Sequence, residues 1–488
     1  MAECILVLDA GTTSTRAMVF GRDGKLASVA QAELTQHYPR PGWVEHDAEE
    51  IWQKTLSCMR EAVGEEGAED IAAIGITNQR ETVVAWDRGT GVPLARAIVW
   101  QDRRTADFCA ALKEAGHEPL VQEKTGLLLD PYFSGTKMRW LLDNDAGVKA
   151  AAADGSLAFG TIESWLVFRL TGGVHISDAS NASRTLLLPL EGADFDEELC
   201  ELFGVPRAAL PRVVDTHGPL AEAGAEWLGR TIPICGLVGD QQSATIGQGC
   251  LSFGETKATY GTGAFVLTNK GAKVPRSEHR LLGTVLCQGK GKRTYALEGA
   301  CFVAGSLIQY LRDQLGLIGS AAETEDLARS IEDSGEVVIV PALAGLGAPH
   351  WKPDARGVIS GLSFASGRAQ IARAALEAMA HQTHDLAQAF AADGAAWTRL
   401  KIDGGMSAND WMAQDLANIL DLEVERPDFV ETTALGAAMC AAVGAGLHPD
   451  LPAAADAMRG NAACFAPDMD EEVRKARLAR YARALSAA

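Results

Sequence analysis

Short apolar strands alternate with helical stretches along this chain, and that alternation restricts it to the α/β class. Residues 4–8 form an apolar run, residues 10–15 a Gly/Thr/Ser turn, and residues 16–20 return to strand character. A Gly21-Arg22-Asp23-Gly24 turn leads to a third strand. A helix is predicted from about Ala48, because Ile51, Trp52, Leu56, Met59 and Val63 fall at helical spacing. Further strands are predicted at 71–77 and 83–86. The later part opens in a similar way, with strands at 256–260 and 264–268 joined by Gly261-Thr262-Gly263. A strand at 337–340, a long helix at 369–390, a strand at 400–403, Gly404-Gly405 and a helix from near Ala408 follow. The two Gly/Thr turns are a faint internal echo, suggesting related halves around a shared cleft.

At 488 residues the chain exceeds what one compact core organises, so two large domains are expected. The division is placed near Gly249, giving 1–249 and 250–488. No Pro/Gly/Ser linker marks it, so intimate contact between the domains is expected. Apolar residues at 47% and charged residues at 22% are those of a globular chain, which excludes extended disorder. A formal charge of −20 excludes a nucleic-acid surface, which needs excess Lys and Arg. Any phosphate ligand must therefore meet positive potential gathered locally. The ten cysteines are scattered with no CxxC pair, as for apolar fillers in a reducing compartment. The start of the chain reads as a buried strand, not a signal peptide. The longest uncharged stretch, 432–447, is too short to span a bilayer and, rich in Ala and Gly, reads as a closely packed helix. A cytoplasmic protein without stable membrane insertion is expected.

Six segments offer chemistry. In Asp9-Ala10-Gly11-Thr12-Thr13-Ser14-Thr15-Arg16, glycine lets the turn approach a phosphate, backbone N–H groups and hydroxyls face the anion, and Asp9 can hold a metal through water. It is not a P-loop, which needs Lys and Ser/Thr after the second glycine; taken alone, it reads as an ordinary hairpin turn. Gly239-Asp240-Gln241-Gln242 follows an apolar strand at 234–238. A carboxylate there can accept a proton from a hydroxyl, or simply cap a helix. Asn78-Gln79-Arg80-Glu81, Trp100-Gln101-Asp102-Arg103-Arg104 and Asp130-Pro131-Tyr132 supply donors, acceptors and a flat wall for a polyhydroxylated ligand. Singly, Arg80–Glu81 reads as a surface ion pair and Trp100 as a core aromatic. Asp403-Gly404-Gly405-Met406-Ser407-Ala408-Asn409 can admit a base and ribose near a helix start. His381 and His384 lack a third metal ligand at suitable spacing, so a helix-surface or core role is expected. The acidic run 65–70 reads as a solvated loop.

Together these segments resemble the FGGY family of carbohydrate kinases over nearly the whole length. Tyr132-Phe133-Ser134-Gly135-Thr136-Lys137-Met138-Arg139-Trp140-Leu141-Leu142-Asp143-Asn144 is similar to the first family signature. Gly357-Val358-Ile359-Ser360-Gly361-Leu362, followed by Gln370-Ile371 and Ala374-Ala375-Leu376-Glu377, is similar to the second. The resemblance implies two ribonuclease-H-like domains of the actin/hexokinase type with the active site in the cleft between them. Within the family, the pattern is that of members using glycerol as substrate. By that resemblance Arg80, Glu81, Trp100, Tyr132, Asp240, Gln241 and Phe265 surround glycerol, with Asp240 as the base. Thr12, Thr13, Ser14 and Arg16 meet the phosphates of ATP, Asp9 and Asp240 hold Mg2+, partly through water, and Thr262, Gly305, Gln309, Gly405 and Asn409 line the rest of the nucleotide site. Another small polyol or sugar, such as erythritol, dihydroxyacetone or a ketopentose, is the alternative acceptor. A non-catalytic, nucleotide-switched protein on an actin-like fold is the alternative of a different class. A homodimer or homotetramer is implied by the family alone. The stretch 222–230 is short and acidic, and no His lies between His217 and Asp240. Neither sugar-bisphosphate inhibition nor activation by His phosphorylation therefore carries over, and no counterpart of the zinc-sharing partner site of some members is evident.

Overall fold

A computed structural model describes residues 3–64, 68–352 and 354–488. Glu65, Glu66 and Gly67 of the acidic run lie outside the described residues. The first half is organised by strands β1 (Cys4–Ala10), β2 (Ser14–Phe20), β3 (Leu26–Glu33), β4 (Ile71–Asn78), β5 (His217–Ala223) and β6 (Ile232–Gly239). They form one sheet in the order β5-β6-β4-β1-β2-β3. β1, β2 and β3 make an antiparallel meander, whereas β4 runs parallel to β1 and β6 parallel to β4. Central position explains why residues 5–10 of β1 are all buried: both faces of the strand are covered. Leu6 and Leu8 pack into the cluster containing helix α1 (Ala48–Val63), while Ile5 and Val7 point to the opposite face. Asp47 starts α1 by accepting from the N–H groups of Glu49 and Glu50, and Gly64 at φ 72° ends it. A long excursion between β4 and β5 carries α2 (Ser134–Asn144) and builds its own core around Phe133, Met138 and Phe159. Helix α3 (Asp240–Gly247) follows β6 directly.

The second half repeats this plan. Its strands are β7 (Thr256–Tyr260), β8 (Ala264–Gly271), β9 (Leu282–Gly289), β10 (Lys292–Cys301), β11 (Arg399–Asp403), β12 (Glu423–Pro427) and β13 (Ala462–Phe465), in the order β9-β10-β8-β7-β11-β12-β13. β7, β8 and β10 are successive antiparallel neighbours, and β11 and β12 run parallel to β7. The hairpin at residues 11–13 and the hairpin at 261–263 are therefore equivalent points in two copies of one topology. Helices α4 (Gly305–Asp313), α5 (Arg368–Ala392), α6 (Asp410–Leu420), α7 (Thr432–Gly444) and α8 (Leu451–Met458) complete the half. The helix expected from near Ala408 instead begins at Asp410. A 3-10 turn at Gly405–Ala408 comes first, and the Asn409 side chain accepts from Met412 N–H to start α6.

One placement departs from a simple division by sequence. α7 and α8 lie beyond residue 250, yet they cover the free face of the first sheet, joining Ile5, Val7, Ala73, Cys235 and Val238 in one core. Close approach is possible because the strands offer glycines. A Cβ at Gly75 would lie 2.6 Å from the Ala437 carbonyl oxygen, and one at Gly236 2.7 Å from Ala441 N. α7 also crosses α3 backbone to backbone: a Cβ at Gly436 would sit 1.9 Å from the Ser243 carbonyl oxygen, and one at Gly247 2.0 Å from that of Thr432. Buried along nearly its whole length, α7 is the closely packed helix its composition predicts. His381 is buried on α5 and stacks on Tyr481 with ring centroids 4.8 Å apart. His384 lies within hydrogen-bond distance of Gln388.

Candidate active site in the cleft

Sheet register assembles the first wall. Ala10 pairs with Asn78, and Asn78 with Gly239, so β1, β4 and β6 end side by side at their carboxyl edges. With strands about 4.8 Å apart, the turn after β1 and the start of α3 are on the order of 10 Å from each other. This edge is where open α/β sheets place their ligands. Gly11 N–H donates to the Ser14 carbonyl and closes the turn. Thr12 accepts from the Trp100 indole N–H at 2.9 Å, joining the turn to the aromatic wall. Arg16, on β2, is engaged by two carboxylates: Asp9 at 2.7 Å and Glu431 at 2.6 Å. Its guanidinium donates to Asp9 Oδ2 and leaves Oδ1 without a partner among the described residues. Burial pushes the Asp9 carboxyl up in pKa, and Arg16 works against the rise.

Asp240 is the first residue of α3, but it is not a cap for that helix. Its Oδ1 accepts from the adjacent Gln241 N–H at 2.7 Å and lies 3.1 Å from Arg80 Nε, and Oδ2 is left to the cleft. Burial raises its pKa; Arg80 lowers it and Asp9 adds to the rise. Arg80 and Glu81 are both 2% exposed, which removes the surface-pair alternative. Glu81 holds φ at 62°, a costly conformation for a non-glycine residue. Ser134 and Lys137 on α2 pin it there by donating to its carbonyl. Trp100 is half-buried in the cleft, edge-on to Tyr132 at 5.7 Å and Phe265 at 6.2 Å. These three rings line a cavity of about 460 Å³ together with Thr262 and Gly263 of the second half.

A second cavity, also about 460 Å³, is lined by Thr262, Gly305, Gln309, Gly405 and Asn409, so all five residues expected around a nucleotide are brought together. Gly305 is required by packing, since a Cβ there would meet the Gly261 carbonyl oxygen at 2.6 Å. Gly405, by contrast, has nothing within 4 Å, and its missing side chain is open space in the cavity. Ile308, Thr324 and Leu376 also line it and were not singled out in the sequence. Ile308 and Thr324 carry no motif, and Leu376 stands in the second family signature; all three are helical positions that face inward.

The most telling omissions are buried charges. Lys257 on β7 donates to the Gln241 side-chain carbonyl at 2.6 Å and to Thr259 Oγ1 at 2.8 Å. A lysine has only donors, so this contact fixes the Gln241 amide with its NH2 free. Burial brings the Lys257 pKa down to about 8. Lys137 donates to the carbonyls of Tyr132 and Phe133, and burial brings it to about 7. Glu298 and Arg184 tie into Arg80 and Glu81. As to magnesium, the donor set fits a hard cation that keeps waters and takes one or two carboxylates besides phosphate oxygens. Among the described residues Asp9 Oδ1 and Asp240 Oδ2 have no hydrogen-bond partner, and Asp9 adds to the rise in the Asp240 pKa. Among the described residues the one cluster of three potential ligand side chains is elsewhere, at Glu423, Glu425 and Cys464, where Arg399 already engages both carboxylates.

Comparison with known proteins identifies the family and the fold. The model of the FGGY family of carbohydrate kinases, N-terminal domain, matches residues 4–247, and that of the C-terminal domain matches residues 256–445. The chain is 51% identical to a glycerol kinase of Methylobacterium nodulans, over 99% of this chain and 98% of the relative. It is 53% identical to a glycerol kinase of Dechloromonas aromatica, over 99% and 97%. The crystal structure of Plasmodium falciparum glycerol kinase with ADP superposes with a TM-score of 0.92 at 34% identity, covering 99% of this chain and 97% of that one. Two copies of one sheet plan, a cleft between them and matches across both halves lead to one conclusion: the chain belongs to the FGGY family of carbohydrate kinases.

Proposed function

We propose that the protein transfers the γ-phosphoryl group of ATP to a terminal hydroxyl of glycerol, giving sn-glycerol 3-phosphate. The observation that carries this reading is the juxtaposition, on the two strand ends that flank β4, of a phosphate-sized Gly/Thr turn and a carboxylate with one oxygen turned from its protein partners. The nucleotide would occupy the cavity around Gly405 and Asn409, its phosphates reaching past Thr262 toward Thr12, Thr13 and Ser14. Arg80, Glu81, Tyr132 and the Gln241 amide would bind the polyol hydroxyls, and Trp100 and Phe265 its C–H faces. As the new P–O bond forms and the bond to ADP breaks, the hydroxyl proton passes to Asp240 Oδ2. Asp9 and Asp240 would hold Mg2+, which supplies charge neutralisation on the phosphates when bound. Closure of the halves excludes water, so ATP hydrolysis without polyol is expected to be slow. The division we propose lies near Gly249, with the polyol site and phosphate turn in 1–249 and the nucleotide cavity in 250–488. Among the described residues no helix is long and apolar enough to cross a membrane. A cytoplasmic homodimer or homotetramer is proposed from family membership.

The test is a coupled ADP-release assay across a polyol panel with Mg·ATP. Glycerol is expected to give the highest kcat/KM, because a site built on hydroxyl contacts penalises missing or misplaced hydroxyls strongly. A larger polyol preferred over glycerol would reject the glycerol assignment, and no phosphorylation of any polyol would favour the nucleotide-switched alternative. The nucleotide cavity has its own check. Gly405→Val is expected to raise KM for ATP by about tenfold or more, as its side chain fills space the ligand needs, with KM for glycerol unchanged. Equal KM for ATP in the variant would move the nucleotide elsewhere.

A further inference from the structure

Behind the cleft, four ionised side chains close into a ring. Arg80 places Nη1 2.6 Å from Glu298 Oε2 and Nη2 3.2 Å from Oε1, a two-pronged contact. Glu298 Oε1 also accepts from Arg184 Nη2 at 2.9 Å. Arg184 Nε then donates to Glu81 Oε1 at 2.6 Å, and Glu81 returns to Arg80 Nε at 3.8 Å. All four residues are at most 2% exposed, and two positive charges balance two negative ones. The guanidinium of Arg184 also lies over the Phe133 ring at 5.2 Å and the Tyr132 ring at 5.6 Å. Burial works against the Glu298 anion, but Arg184 and Arg80 together hold its carboxyl down to about 2.

The ring decides which atoms remain for a ligand. Glu298 engages both terminal nitrogens of Arg80, which also donate to Gln242 Oε1 and the Tyr132 hydroxyl, so Nε is the part that faces Asp240. Arg184 takes one oxygen of Glu81, and the other has no hydrogen-bond partner among the described residues. Three members come from the first half, whereas Glu298 lies on β10 of the second. The rotamers of the two charged polyol-facing residues are therefore set partly from across the interface.

We propose that Glu298 and Arg184 are positioning residues for polyol recognition, fixing the Arg80 guanidinium and the Glu81 carboxylate in the orientation that meets the substrate hydroxyls. This rests on the glycerol-phosphorylating reading above. A purely structural ion cluster would behave differently: weakening it would lower stability or the active fraction, without separating the two substrates.

The experiment compares wild type, Glu298→Gln and Arg184→Lys as full-length proteins, measuring kcat, KM for glycerol, KM for ATP and Tm. Glu298→Gln takes from Arg80 the counter-charge that holds both its terminal nitrogens, and KM for glycerol is expected to rise by about tenfold or more while KM for ATP stays within about twofold. Arg184→Lys keeps the charge but loses the fork that serves two carboxylates, so a smaller rise in the same direction is expected. A folded Glu298→Gln protein with wild-type KM for glycerol overturns the proposal, as does a parallel loss in both KM values. Should Glu298→Gln fail to fold, Arg184→Lys decides by the same criteria. Wild type that phosphorylates no polyol overturns this inference together with the reading beneath it, whereas an active wild type with unmoved variants overturns this inference alone.

Discussion

Asp240→Asn is expected to lower kcat with glycerol by ~10²–10⁴-fold, the usual worth of a positioned general base. Asparagine keeps the shape of the side chain, and its carbonyl can still accept from Gln241 N–H and face Arg80 as Asp240 Oδ1 does. Packing is thus preserved, and what disappears is the ability of the second oxygen to take a proton. The pH profile gives an independent reading. Burial and the Asp9 charge lift the Asp240 pKa above its ordinary 3.8, with Arg80 opposing the rise. A base must be deprotonated to act. Wild-type kcat should therefore fall as the pH drops through this raised value, at higher pH than an exposed aspartate would give. The residual activity of Asp240→Asn should lack that acid limb. A variant with native Tm and turnover within about tenfold of wild type would remove Asp240 from the proposed chemistry.

The second large effect concerns stability. Gly436→Ala adds a single methyl group where α7 crosses α3, and that methyl would lie 1.9 Å from the Ser243 carbonyl oxygen. No side-chain rotation relieves a clash at Cβ, so the helices must separate along a crossing that is otherwise fully packed. A loss of about 3 kcal/mol or more is expected, at the upper end of overpacking costs, and Tm should drop by several degrees. Gly405→Ala is the matched control, because its Cβ meets nothing within 4 Å and φ there is not positive. Thermal melts of the two proteins without ligand give the comparison. Equal Tm values would mean that the crossing is looser than the backbone distances indicate.

Local chemistry made much of this legible in the sequence. The hairpin at residues 11–13 was visible because an apolar run, a Gly/Thr turn and a second apolar run follow one another within a few residues. Its partner at 261–263 carries the same pattern, and the two occupy equivalent places in the two sheets. Asp240 was readable as a group at a strand end, since the apolar stretch before it predicts the strand. The start of α6 was misjudged by two residues, because a 3-10 turn and a capping asparagine share the composition of a helix start. Glu298, Arg184, Lys257 and Lys137 were not found. Glu298 and Arg184 are single charges whose partners lie far away in the chain, 218 residues in the case of Arg80 and Glu298, and nothing in composition shows that Lys257 and Lys137 turn inward. Composition announced that α7 is tightly surrounded but could not name its neighbours, since Ala and Gly permit close approach to any backbone.

Because α7 and α8 belong to the later part of the sequence but cover the earlier sheet, the polypeptide cannot be divided into two free-standing pieces at the position where the sheet plan starts over. A fragment ending near Gly249 would present Ile5, Val7, Ala73 and Val238 to water, and the remaining fragment would carry an Ala-rich helix with no surface to rest on. Dissection into autonomous modules would therefore have to keep that segment with the residues it shelters, as a split-and-reassemble or permuted chain can do and a simple truncation cannot.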